Sequence, residues 1–255
     1  MGKQLVPLTM IAAMLGLAVS ALTIGFVPDH PTWWRAAVSL AVLGGITPMI
    51  YAVNIRVVPV FSRRQWASLG PLRAQVALLL AGAWIVYAGR MNSRDALIQL
   101  GSLFALASGL LFMANLVRLF KQPPSTPAPP TPFPNQVDVD KLAVKFTRWA
   151  GIYLQIGLII GVVTAFWQPD KGRWDLVWAH AMLVGFMLSM AAGTCYHVLS
   201  RWTGYPWRST LPIRLHLIVM TIGLPIMLLA LATDAMTLFK IAGPLQAAAI
   251  VSKPA

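Results

Sequence analysis

The chain has 255 residues, 58% of them hydrophobic and only 11% charged, with 20 Lys and Arg against 7 acidic residues. A soluble domain carries roughly a quarter charged residues, so this composition excludes a water-soluble globule and a disordered chain. All seven acidic residues are Asp and the only cysteine is Cys195. That excludes a Glu-built di-iron centre, an internal disulfide, a thiolate zinc site and an iron–sulfur cluster.

A helix needs roughly 20 apolar residues to cross the hydrocarbon of a bilayer. Runs of this kind cover Leu5–Val27, Ala36–Ile55, Ala74–Gly89, Ala96–Val117, Trp149–Gln168, Leu176–Ser200 and Leu215–Thr233. The third is short, and Arg73 and Arg90 flank it where they can snorkel. An eighth candidate, Ala235–Val251, is interrupted by Lys240 and Pro244. Leu5–Val27 follows Lys3 and has a faint cleavage-like Ala18-Val19-Ser20-Ala21. Its length exceeds that of a signal-peptide core, so it reads as a spanning helix. The expected fold class is therefore all-α, a polytopic membrane bundle of about eight transmembrane helices.

Threading the chain through these spans sorts thirteen Lys and Arg to one side, among them Arg63, Arg64, Lys121, Lys141, Arg201 and Arg214. Five fall on the other: Arg35, Arg90, Arg94, Lys171 and Arg173. The positive-inside rule then places both termini in the cytoplasm, here of a bacterial inner membrane. The basic excess is explained by topology and contact with anionic membrane lipids, and needs no nucleic acid.

A shift of 141 residues aligns Ile11–Gly82 with Ile152–Gly223 without a gap, and fifteen of the 72 positions match. The matches include Pro28-Asp29 with Pro169-Asp170, Trp33 with Trp174, Gly44 with Gly185, Met49 with Met190, and Trp66, Ser68, Pro71 and Arg73 with Trp207, Ser209, Pro212 and Arg214. The pattern predicts two parallel four-helix repeats, residues 1–120 and 142–255, related about the membrane normal. The Pro-rich segment Lys121–Lys141 joins them as an extended cytoplasmic linker without helix.

The copies differ where chemistry is expected. Ser39, Arg56 and Gln75 in the first stand opposite His180, His197 and His216 in the second. Ionisable groups inside spans are costly and mark candidate sites. His180 and His197 lie about 25 Å apart along one helix and cannot share a metal. His197 and His216 enter at similar depth and are candidates either to ligate one iron or copper or to hydrogen-bond each other. Arg56 is a candidate partner for a haem propionate, or else snorkels. His30 reads as a solvated loop residue, Cys195 as a buried small hydrophobe, and the twelve Met residues as packing.

Trp178-Ala179-His180-Ala181-Met182-Leu183-Val184-Gly185-Phe186, followed by His197 and Arg201-Trp202-Thr203-Gly204, resembles the NnrS family of haem- and copper-containing membrane proteins. It is more distantly similar to small relatives of haem–copper oxidase subunit I. The resemblance covers Pro28–Arg73 and Pro169–Arg214, and Leu43-Gly44-Gly45-Ile46 through Arg63 looks like the family's later glycine-rich helix. Trp178 and Ala181 stand where the family has a first His and a Glu, so the resemblance implies no complete oxygen- or nitric-oxide-reducing centre. It implies haem b with His180 as axial ligand, copper as a second cofactor, and a role in electron transfer or in tolerance of nitric oxide or metal stress. The competing expectation is a cofactor-free scaffold subunit, working with other membrane subunits or as a homo-oligomer. A two-repeat transporter is disfavoured because buried carboxylates and paired broken helices are lacking.

Overall fold

The computed structural model describes residues 4–26, 30–126, 133–167 and 171–251. Lys3, Lys253 and the Pro28-Asp29 and Pro169-Asp170 pairs lie outside the described residues. Among the described residues every regular element is helical. Eight helices follow in order: α1 Leu5–Phe26, α2 Pro31–Ser62, α3 Gly70–Met91, α4 Asp95–Lys121, α5 Gln136–Trp167, α6 Gly172–Thr203, α7 Leu211–Thr233 and α8 Met236–Val251. The first seven are long and apolar enough to cross a membrane, as expected of a multi-pass membrane protein. The described part of the eighth has 16 residues, about 24 Å of helix.

Two segments depart from the sequence expectation. The Pro-rich connection was expected to run extended to Lys141, but α5 already begins at Gln136. The last proline is Pro134; beyond it nothing opposes a helix, and Asn135 takes a left-handed φ of 62° just before the first turn. Cys195 is exposed on the outer face of α6 instead of being buried.

α2 and α6 are not uniform α-helices. Residues Leu40–Ile46 and Ala181–Leu188 wind as π-helix, a conformation seen mostly as short insertions within α-helices. A hydroxyl ends each segment on an i−5 carbonyl: Thr47 Oγ1 donates to the Val42 carbonyl at 2.7 Å, and Ser189 Oγ to the Val184 carbonyl at 3.4 Å. Glycine lets a neighbouring helix approach. A Cβ on Gly16 of α1 would lie 2.5 Å from the Gly44 carbonyl oxygen, and one on Gly157 of α5 would lie 2.5 Å from Met182 Sδ.

The 141-residue offset also relates the ends of the elements. Ser62 and Thr203 close α2 and α6. Arg63 and Gly204 then both turn left-handed, with φ of 54° and 76°. α3 and α7 open at Gly70 and Leu211, each with a proline in its first turn, where the missing N–H costs nothing. Ser93 and Asp234 are again left-handed, at 52° and 56°, before α4 and α8 start at Asp95 and Met236.

The helices group into two compact units. One holds α1–α4 with the last turns of α5, and the other the rest of α5 with α6–α8. In the first, Trp66 from the α2–α3 loop donates its indole N–H to the Ile55 carbonyl at 2.9 Å and packs on Ile55, Leu72 and Val76. In the second, Trp207 from the α6–α7 loop stacks edge-on against Tyr196, which stands where Ile55 does, with ring centroids 5.6 Å apart. Tyr196, Ile213, Met220 and Phe146 form the core beneath it.

Candidate functional site

α5 has 32 residues, about 48 Å of helix, which exceeds the hydrocarbon thickness. Its first turns carry Gln136 and Asp140, four residues apart and so on one face. The last turns of α6 carry His197, Ser200 and Arg201 on one face by the same rule. These two faces meet around the Asp140 carboxylate. It accepts hydrogen bonds from Gln136 Nε2 at 2.8 Å, His197 Nδ1 at 2.8 Å, and both terminal nitrogens of Arg201 at 3.0 and 2.7 Å. Ser200 Oγ donates to Gln136 Oε1, and Arg201 donates also to the His197 carbonyl. A forked Arg–carboxylate contact is the strongest and most directional kind of ion pair. Asp140 and Arg201 keep 23% and 30% of their side-chain surface, so the pair is only partly screened by water.

His216 sits deeper, on α7, and is 9% exposed. Its Nδ1 lies 2.6 Å from the Tyr196 hydroxyl, and the Phe146 ring packs 5.0 Å from its own. Its Nε2 is buried without a hydrogen-bond partner. His197 and His216, expected at one depth, are therefore tied at Nδ1 to different partners, one to a carboxylate and one to a phenol.

His180 ends the α-helical part of α6, immediately before its π segment. Its Nδ1 is 2.9 Å from the Leu176 carbonyl. A carbonyl only accepts, so Nδ1 carries the proton, and in the neutral ring Nε2 then holds the lone pair. A ring nitrogen anchored on a carbonyl with the other left as a base is the arrangement of metal-ligating histidines. In that respect His180 fits one axial position of a haem.

The remaining candidates are scattered. Arg56 is exposed on α2. His30 is exposed beside Trp33, with ring centroids 5.8 Å apart. Met182, Met187, Met190 and Met220 are buried among apolar neighbours, as packing residues are. Among the described residues no three His, Cys, Asp or Glu side chains come together as a metal-binding group.

The sequence reading missed Gln136, Asp140, Tyr196 and Arg201. Asp140 was absorbed into the proline-rich connection, and its pairing with α6 had no local signal. Comparison with family models, with curated proteins and with solved structures finds no match to this chain.

Proposed function

We propose that this chain is a membrane protein of two parallel four-helix copies in a bacterial cytoplasmic membrane, with both termini and the Pro-rich linker in the cytoplasm. Its second copy binds one haem b through His180 and serves electron transfer or tolerance of nitric oxide or metal stress, as the resemblance to the NnrS family implies. The duplication is supported by the shared offset of helix ends, π segments and left-handed residues. The haem reading is carried by His180, whose Nδ1–H is committed to Leu176 and whose Nε2 is a free base by tautomer. A bound haem b supplies a one-electron redox centre. The chain's own part is to hold the imidazole in register before the π segment.

Purified protein, expressed with ample haem, should show a Soret band that is lost in His180→Ala and kept in His197→Ala and His216→Ala. A colourless wild-type protein overturns the proposal.

A second reading, a cofactor-free scaffold subunit for a larger membrane complex, draws on His197 and His216. Both imidazoles are engaged at Nδ1 with Asp140 and Tyr196, which gives each a structural role without any metal. Copper bound at these two residues would have to use their Nε2 atoms.

A further inference from the structure

At one end of the first unit α2 and α4 finish together, and they carry Arg63, Arg64, Arg118 and Lys121 there. The chain leaving α4 turns back over the end of α2 and straps the two helices. Ser125 donates from its N–H and from its Oγ to the Arg63 carbonyl, both at 2.8 Å. Arg63 Nη1 donates to the Thr126 carbonyl at 2.7 Å, and Arg64 Nε to the Gln122 carbonyl at 2.6 Å. The Arg64 guanidinium lies over the Phe120 ring, 5.3 Å from its centroid, a cation–π contact. Arg118 and Lys121 are exposed and, three residues apart, share a face of α4.

What these four cations lack is a counter-charge. Between residues 30 and 137 the only acidic residue is Asp95, about 35 Å back along α4 from Arg118. The bonds that Arg63 and Arg64 make go to carbonyls, which orient a guanidinium but leave its charge uncompensated. The corresponding end of the second unit is different. There Asp138 holds Lys141 at 2.9 Å, and Asp140 holds Arg201 at 2.7 Å. Val60, Val117 and Phe120, beside the four cations in sequence, are exposed apolar side chains. In a bilayer such residues face hydrocarbon, which sets the cations next to them at the depth of the lipid headgroups.

We propose that this end of the first unit holds the phosphate of an anionic phospholipid whose headgroup carries no cation of its own. Arg63 and Arg64, fixed by the strap, supply guanidinium N–H donors to the phosphate oxygens, and Arg118 and Lys121 add charge from α4. A zwitterionic lipid brings its own ammonium and leaves the excess charge standing. A soluble acidic partner leaves Val60, Val117 and Phe120 uncovered, whereas the acyl chains of the lipid cover them. The site rests on the chain crossing a membrane and is independent of the haem reading.

The test is native mass spectrometry of the full chain released from phosphatidylcholine nanodiscs doped with phosphatidylglycerol. The wild type should retain phosphatidylglycerol in preference to phosphatidylcholine. Arg118→Gln/Lys121→Gln should weaken that retention about twentyfold, at about fivefold for each cation lost near the membrane surface. Arg118→Lys/Lys121→Arg keeps the charge and should bind as the wild type does, which separates lost charge from lost folding. Lys141→Gln/Arg214→Gln removes as much charge from the second unit, where Asp138 lies beside both residues, and should change retention by no more than about twofold. No preference for phosphatidylglycerol overturns the proposal. So does an equal loss in the two glutamine variants, the behaviour of a diffuse basic surface, and so does displacement of the lipid by an acidic peptide, the behaviour of a protein-docking site.

Discussion

Ser39 and His180 occupy the same aligned position, and both hydrogen-bond the carbonyl four residues back, Arg35 at 2.7 Å and Leu176 at 2.9 Å. The structural need at the start of each π segment is thus met by a hydroxyl in one copy and an imidazole in the other. What the imidazole adds is a second nitrogen. Gln75 and His216 repeat the lesson one helix later, each binding a neighbour through one end of the side chain and keeping a nitrogen beyond it. Arg56 and His197 differ more: Arg56 is exposed, whereas His197 is drawn onto Asp140, a residue of the α5 extension that precedes the duplicated segment. The two aligned segments therefore share the features that set backbone path and diverge where a side chain can take on chemistry.

The comparison can be broken most severely at the glycines. A methyl on Gly16 meets the backbone of Gly44, whereas one on Gly157 meets the flexible end of Met182. Gly16→Ala should cost about 3 kcal/mol and Gly157→Ala about 1 kcal/mol, read as loss of monodisperse protein on heating. Equal costs would mean that the two π segments are held alike and that the difference between a backbone and a side-chain neighbour does not count.

Asp140→Asn comes next. It removes the charge that Arg201 and His197 share and should destabilise the packing of α5 on α6 by about 2 kcal/mol. Arg201→Ala should add little on top of it, because both changes break one network. Full additivity in the double variant would show that the contacts are independent.

The smallest effect is expected at the hydroxyls ending the π segments. Thr47→Val should cost about 1 kcal/mol and Ser189→Ala less, since the second bond is long at 3.4 Å. The reverse order in thermal unfolding would contradict the geometry.

The spans were readable because a lipid-crossing helix has a fixed length and excludes charge, and the ends of α1, α3, α4 and α7 fall within a few residues of the apolar runs. The π segments were not. Leu40–Ile46 and Ala181–Leu188 are apolar and closely packed, and an apolar run cannot signal whether its backbone bonds reach back four residues or five. Gly44 and Gly185 were visible as matched glycines, but the helix that each admits is known only from packing. The imidazoles stood out as ionisable groups in spans, yet Asp140 and Tyr196 could not be assigned to them, because partners on different helices leave no periodic trace. The long reach of α5 was hidden by letting the prolines of the connection speak for the seven residues after them.

The central claim is that the imidazole of His180 supplies a ligand, while the structural part of its role can be filled by the residue of the other copy. His180→Ser imports that residue. Unfolding of the haem-free protein should be unchanged within about 0.5 kcal/mol, as for a substitution that keeps the bond to the Leu176 carbonyl, and the Soret band of the haem-supplied protein should be lost. A His180→Ser protein that keeps its Soret band, or one that no longer folds, would contradict the account.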